Sequence, residues 1–280
     1  MEERMTTIVI PVYNAPQSVK ACFHSLMLHT DPSVQVIVID DASDDPLIPA
    51  MLQDLPSGWV LVENQRNLGF VATANLGMEL ATGDDVVLLN SDTEVTSQWL
   101  PLLERSLAAS DRIASVSPLT NNGEIASIPE ICHTNAYPED PEAWALACRN
   151  SVSEEQPWDL YDVPTTIGFC MLMSRSAINS VGYFDESAFG LGYGEENDWC
   201  QRAIDAGWRN ILCDRAFVAH KGGESFGPLG LRPNGQNMSR LLDRYPHYLE
   251  EVADFISDDP MRQRREAIFK FYESTNLNKT

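Results

Sequence analysis

The sequence predicts an α/β fold, a mostly parallel sheet flanked by helices with a helical C-terminal tail, and three observations predict it. Short, continuous apolar runs alternate with amphipathic stretches through the first half, the pattern of βαβ units whose strands are covered on both faces. Polar residues collect directly after each apolar run, where a parallel sheet leaves its ligand-binding edge. From Gln236 onward Leu241, Leu242, Tyr245, Leu249, Val252 and Ile256 recur at helical spacing.

Taken in order, strands are expected at Thr6–Val12, Val34–Ile39, Trp59–Val62 and Val86–Leu89, each followed by a helix: Ser18–Leu28, Ile48–Leu52, Phe70–Leu80 and Trp99–Ala108. The runs are rich in Val and Ile, which suit a pleated, buried surface. Residues 119–164 carry five prolines and weak periodicity, which reads as an irregular excursion without a core of its own. A strand at Thr166–Met173 leads to Gly182, Gly190, Gly192 and Gly194, then a helix from Glu195 to Ala206 and a strand Ile211–Ala219 that ends at His220. The tail closes on a basic turn, Arg262, Arg264 and Arg265. The expected division is one domain over 1–227, with halves 1–118 and 165–227 around the excursion, and a helical extension over 228–280.

Composition narrows the class. Of 280 residues, 44% are hydrophobic and 21% charged, values of a folded globular chain. Nineteen Lys and Arg against 41 Asp and Glu leave a net charge of −22, which repels phosphate polymers and argues against nucleic-acid binding. No apolar run approaches the roughly 20 residues that span a bilayer. The first residues carry acids where a secretion signal needs cations. Six scattered cysteines without a CxxC pair read as reduced, mostly buried thiols, and a cytoplasmic location follows.

Four clusters carry chemistry. Asn90-Ser91-Asp92 follows a buried strand, and a carboxylate there is the hard oxygen ligand that Mg²⁺ or Mn²⁺ requires, although Asp92 also suits a helix cap. Asp40-Asp41 can accept hydrogen bonds from a base or ribose, or form a solvated acidic turn. Glu195, Glu196 and Asp198 open a helix, where ionised carboxylates are favoured and one acid can face a cleft as a general base. Helical period places Glu195 with Asp198 and turns Glu196 elsewhere. His220 ends an apolar strand and is a ligand or a structural residue. Trp199 and Trp208 are core residues or a platform for a sugar ring.

Six short motifs in order, Ile8-Val-Ile-Pro-Val-Tyr-Asn14, Val38-Ile-Asp-Asp-Ala-Ser43, Asn67-Leu-Gly-Phe70, Leu89-Asn-Ser-Asp92, Gly194-Glu-Glu-Asn-Asp-Trp-Cys200 with Arg202, and His220-Lys-Gly-Gly223, resemble family 2 glycosyltransferases of the GT-A type, with its Rossmann-like sheet. The resemblance covers about residues 5–227. It implies inverting transfer of a sugar from a nucleotide-diphosphate donor (UDP-, dTDP- or GDP-sugar) to a hydroxyl of a glycan or lipid-linked acceptor, assisted by Mn²⁺ or Mg²⁺, in surface glycan or polysaccharide assembly.

Carried onto this sequence, the resemblance implies that Pro11, Tyr13, Asn14, Asp40 and Asp41 hold the nucleoside and that Arg66, Asn67, Asn75, Asn90 and Ser91 line the donor pocket. Asp92 and His220 match metal or diphosphate ligands. Asn90 replaces the first acid of the family's DxD motif, which weakens metal binding or shifts it toward Asp92 and His220. Glu196 stands where the family has its catalytic aspartate, with Glu195 the neighbouring candidate. Competing readings are a sugar-phosphate nucleotidylyltransferase, which needs a basic glycine-rich loop after the first strand that is not there, and a non-catalytic nucleotide-sugar-binding protein, which does not need Glu196. For the basic turn the readings are a solvated helix end or peripheral contact with an anionic membrane face.

Overall fold

The computed structural model describes residues 5–152, 158–190, 192–222 and 236–276. Its first half follows the alternation read from the sequence: β1 (Thr6–Val12), α1 (Pro16–His29), β2 (Gln35–Asp40), α2 (Leu47–Leu52), β3 (Val60–Glu63), α3 (Phe70–Leu80), β4 (Asp85–Leu89) and α4 (Trp99–Leu107). Strands β3, β2, β1 and β4 lie side by side and parallel, with Ile8 opposite Val36 on one side and Val87 on the other. Every residue of β4 is buried, as a strand covered on both faces requires.

The sheet then changes character. Beside β4 runs β8 (Cys170–Met173), antiparallel, followed by β6 (Ile113–Leu119), and then by the long β9 (Arg209–His220), parallel to β6. Two short strands pair antiparallel with β9: β5 (Thr93–Val95) at its end and β7 (Tyr161–Asp162) near its start. The expected strand at Thr166–Met173 is confined to its last four residues, and two short helices, α6 (Arg175–Val181) and α7 (Glu186–Phe189), follow it. β5 and β6 are strands that no apolar run announced: β5 is Thr-Glu-Val, and β6 is diluted by Ser115, Ser117 and Pro118.

The excursion 119–164 is more ordered than its prolines suggest. Helix α5 (Pro141–Asn150) is N-capped by the Asp140 carboxylate, which accepts from the Ala143 N–H, and has proline at its first position. Its Trp144, Ala145, Ala147 and Cys148 enter a hydrophobic cluster with Phe217 and Ala219 of β9 and with Met261 and Ile268. Trp144 stacks on Tyr272 at 4.0 Å between ring centroids. The segment therefore has a core of its own, built jointly with the tail.

The tail forms α9 (Gln236–Arg244), α10 (Tyr248–Asp258) and α11 (Arg262–Asn276). Its basic turn is not a solvated surface. Arg264 is buried, pairs with Asp214 of β9 and donates to the Cys148 carbonyl; Arg265 is buried against Asp259, and only Arg262 points outward. Two of the three cations offered for membrane contact are thus consumed inside the fold, which removes the electrostatic basis of that expectation. No helix among the described residues is long and apolar enough to cross a membrane. All six cysteines are free thiols and only Cys132 is exposed.

Helix α3 rests on β1 through Gly77, where a Cβ would collide with the stiff, branched side chain of Val9. Gly77→Ala should therefore destabilise the fold by about 1–3 kcal/mol despite alanine's better helix propensity. Urea unfolding of the variant against the parent measures this, and a gain in stability would show that the helix can lift away from the sheet at no cost.

Candidate active site

A cleft of about 460 Å³ opens over the ends of β1, β4, β6 and β9 and the start of the next helix, α8 (Glu195–Asp205). Of the residues singled out from sequence, Pro11, Tyr13, Asp41, Asn67, Asn90, Ser91, Asp92, Glu195, Glu196 and His220 all line it. Asn14, Asp40, Arg66 and Asn75 do not.

Their positions have structural reasons. Asn14 sits at φ 56° in the turn after β1; its N–H donates to the Ser43 hydroxyl and its side-chain oxygen accepts from the N–H groups of Asp44 and Asp45. It is a strut between two loops. Asp40 is buried, and its carboxylate accepts from the Ser43 N–H at 3.0 Å. Both amide atoms of Asn75 are spent on the backbone of Phe184, each at 3.0 Å. Arg66 is exposed outside the cleft. Asp41 combines both roles: it lines the cleft, yet its carboxylate accepts from Asn64 Nδ2 and from the N–H groups of Leu68 and Gly69, all at 2.8 Å, and so holds the turn into α3.

At the far end of the sheet β5 and β9 pair with Thr93 opposite His220, which brings Asp92 beside the imidazole. Asp92 Oδ1 lies 3.4 Å from His220 Nε2. His220 Nδ1 lies 2.6 Å from the Asn122 carbonyl, an acceptor that keeps the proton on Nδ1, and the ring stacks on Phe169 at 5.0 Å. Burial opposes the imidazolium, but the Asp92 carboxylate and the Asn122 carbonyl outweigh it and raise the pKa above the ordinary value. One carboxylate oxygen and one imidazole nitrogen at this separation suit two neighbouring ligands of one divalent cation, and the Asn122 carbonyl supplies the orienting bond that metal-bound histidines use. Among the described residues no third His, Cys, Asp or Glu joins them, so the donor set fits a cation completed by substrate oxygens.

Gly194 makes the turn that starts α8 at φ 102°, a conformation open to glycine and costly for other residues. Both acids that follow face the cleft, so the two faces on which helical period sets Glu195 and Glu196 both open onto it. Asp198, expected to share a face with Glu195, is instead fully buried between Arg202 and Arg244, at 2.8 and 2.7 Å. Glu195 Oε2 and Glu196 Oε2 are enclosed without a hydrogen-bond partner. Burial first, then the Glu196 charge, raises the Glu195 pKa well above the carboxylate range; burial also raises Glu196, while its bond from Glu195 acts the other way. The pair therefore titrates as a unit in which Glu195 keeps the shared proton longer. Trp199 is core, its indole N–H donating to the Gly182 carbonyl at 2.8 Å, and Trp208 packs beside Arg112, so neither meets the cleft.

Several lining residues escaped the sequence reading. Asn122 and Glu124 follow β6, whose polar end, Thr120-Asn121-Asn122-Gly123, obeys the strand-end rule that located the others. Met238, Tyr248, Leu249 and Val252 come from the tail, which the expected domain division set apart. The tail also braces the glycine stretch: Asn237 Nδ2 donates to the carbonyls of Phe189 and Gly192 at 2.8 and 2.7 Å, and Arg244 bridges Asp185 and Asp198. Among the described lining residues are five carboxylates (Asp41, Asp92, Glu124, Glu195, Glu196) and no lysine or arginine.

The profile of Glycosyl transferase family 2 matches residues 7–182. Human polypeptide N-acetylgalactosaminyltransferase 10 is 33% identical over 267 residues, 90% of this chain and 43% of the relative. An uncharacterized glycosyltransferase of Bacillus subtilis (strain 168), YwdF, is 23% identical over 268 residues, 93% of this chain and 92% of the relative. The chain spans less than half the length of the N-acetylgalactosaminyltransferases that it matches. Among solved structures, GalNAc-T7 with UDP, GalNAc and Mn²⁺ superposes with a TM-score of 0.64 at 16% identity, covering 98% of this chain and 56% of that one. A mannosyltransferase from Pyrobaculum calidifontis in complex with GDP-Man and Mn²⁺ gives 0.55 at 18% identity, covering 95% and 69%. At these identities the likeness establishes the shared fold.

The Glu195–Glu196 pair has a signature in stability. An acid whose folded pKa is raised above its ordinary 4.5 binds more protons folded than unfolded, so stability falls as pH rises through the window above that value. Glu195→Gln should therefore unfold at higher urea than the parent at pH 7, with the advantage gone by about pH 4, where both forms of the parent are protonated. A pH-independent difference would show that the carboxyl is solvated.

Proposed function

The chain belongs to glycosyl transferase family 2, and from that premise we propose that it moves a sugar from a nucleotide-diphosphate donor onto an acceptor hydroxyl with inversion at the anomeric carbon. The observation that carries this reading is the cleft itself: a diphosphate must enter a site lined by five carboxylates and no lysine or arginine among the described residues, which costs prohibitive repulsion unless a divalent cation enters with it. Asp92 and His220 are the residues that would hold that cation. When bound, Mn²⁺ or Mg²⁺ supplies Lewis-acid stabilisation of the charge that builds on the leaving diphosphate. The Mn²⁺ in both solved relatives supports the same reading.

The chain's own residues supply the rest. Tyr13, Pro11 and Asp41 form the nucleoside end of the cleft, with Asn67, Asn90 and Ser91 along the donor path. Glu196 takes the proton from the acceptor hydroxyl as its oxygen attacks the anomeric carbon from the face opposite the diphosphate. Glu195, holding the shared proton longer, donates toward Glu196 and keeps its neighbour the ionised partner, so the base is Glu196 and Glu195 tunes it. A purely nucleotide-sugar-binding protein has no use for two partnerless buried carboxyl oxygens, and a nucleotidylyltransferase lacks its cations here. UDP-, dTDP- and GDP-sugars are the donors to test, and surface glycan or polysaccharide assembly is the proposed setting.

Thermal unfolding against a panel of nucleotide sugars should show protection that appears with Mn²⁺ or Mg²⁺ and disappears in EDTA, and that Asp92→Asn abolishes. Equal protection in chelator would overturn the cation reading. Glu196→Gln should lower transfer by about 10²–10⁴-fold while leaving donor protection unchanged. Near-normal transfer by Glu196→Gln together with collapse in Glu195→Gln would move the base to the neighbour.

A further inference from the structure

The cleft has two chemically different ends. One is the polar strand-end floor that carries Asp41, Asp92 and His220. The other is walled by the tail, where Met238 of α9 and Tyr248, Leu249 and Val252 of α10 face the same space as Ile125, Glu195 and Glu196. Tyr248 and Val252 are four residues apart and so share a face of α10. Tyr248 lies near the acids: after burial, the charge of Glu196 is the largest influence raising its phenol pKa, and Glu124 adds to it.

Leu249 is 50% exposed at this wall. An apolar side chain half in water on the wall of a functional cleft gains free energy when a ligand covers it, whereas an anionic group placed there meets Glu124 and Glu196 with no lysine or arginine among the described lining residues. Resting on the transferase reading, the group that lies against the base is the acceptor, so the part of the acceptor that adjoins its reactive hydroxyl lies along this wall. We propose that the tail builds an acceptor subsite that selects a neutral acceptor carrying an alkyl or aryl group beside the attacking hydroxyl, seated on Tyr248, Leu249 and Val252. The helical tail is then a specificity element rather than an appendage.

Calorimetric titration of the full chain, with nucleoside diphosphate and Mn²⁺ present, tests this. The probes are octyl and methyl glycosides of glucose and N-acetylglucosamine, below the micelle concentration, together with the octyl glycoside 6-phosphate. Octyl glycosides should bind at least about tenfold more tightly than methyl glycosides, the scale of covering one large aliphatic side chain, and the phosphate should cancel the advantage. Leu249→Asp, an exposed position that leaves the core intact, should erase the octyl preference, and Val252→Ala should reduce it about threefold. Equal binding of octyl and methyl glycosides, tighter binding of the phosphorylated probe, or an octyl preference that survives Leu249→Asp would each overturn the proposal. Cation-dependent nucleotide protection, read on the same samples, reports on the transferase reading separately. Its loss with the octyl preference intact counts against that reading and for the apolar seat.

Discussion

The register in which Thr93 pairs with His220 fixes the chemistry of the cleft. Side chains alternate across a strand, so a slip of one residue between β5 and β9 turns His220 to the opposite face and takes it from Asp92. The register is held from several directions. The Lys221 N–H donates to the Asp92 carbonyl, and Asn121 exchanges two hydrogen bonds with the backbone of His220. Thr96 donates to the Phe217 carbonyl three strand positions earlier. A short strand with few apolar residues is thereby made as well determined as the long buried ones.

Around that pair the fold concentrates negative charge where a chain of net charge −22 least needs more. The arrangement is unfavourable for the isolated chain, as the raised pKa values of Glu195 and Glu196 show, and it is stabilised from outside the cleft. Asp198, one turn along the same helix, is neutralised by Arg202 and Arg244, so α8 carries its structural charge on the buried side and its unpaired charge on the open side. This division leaves the first turn of the helix, already favourable for anions, free for chemistry. It follows the general pattern in which functional sites store local instability that the surrounding packing offsets.

Much of this was legible in the sequence. The four parallel strands, their helices and the polar residue at each strand end follow from period and composition, and ten of the fourteen residues singled out converge on one cleft. What escaped has common physical causes. β5 and β6 are specified by their neighbours rather than by their own composition. Asn14, Asp40 and Asn75 sit beside functional positions in the chain, but the side chains of Asn14 and Asn75 bind backbone in other loops and that of Asp40 binds the turn after its own strand, and no spacing rule distinguishes a residue that binds a ligand from one that binds a turn. Arg264 reads as surface because its partners, Asp214 and Cys148, lie 50 and 116 residues away. Helical period sets Glu195 and Glu196 on different faces because it assumes that one narrow stripe of a helix is in use, whereas the start of a helix presents its whole first turn.

The joint core of α5 and α11 constrains how such a protein can be recombined. Trp144 stacks on Tyr272, and Arg264 reaches from the last helix to the Cys148 carbonyl and the Ser151 hydroxyl. Residues distant in the chain therefore form one inheritable block. A chimera that imports the middle segment of a relative will strand an indole and several buried polar groups unless the final helix travels with it. A single crossover upstream of α5 keeps the block whole because it carries α11 along, whereas exchange of the middle segment alone splits it.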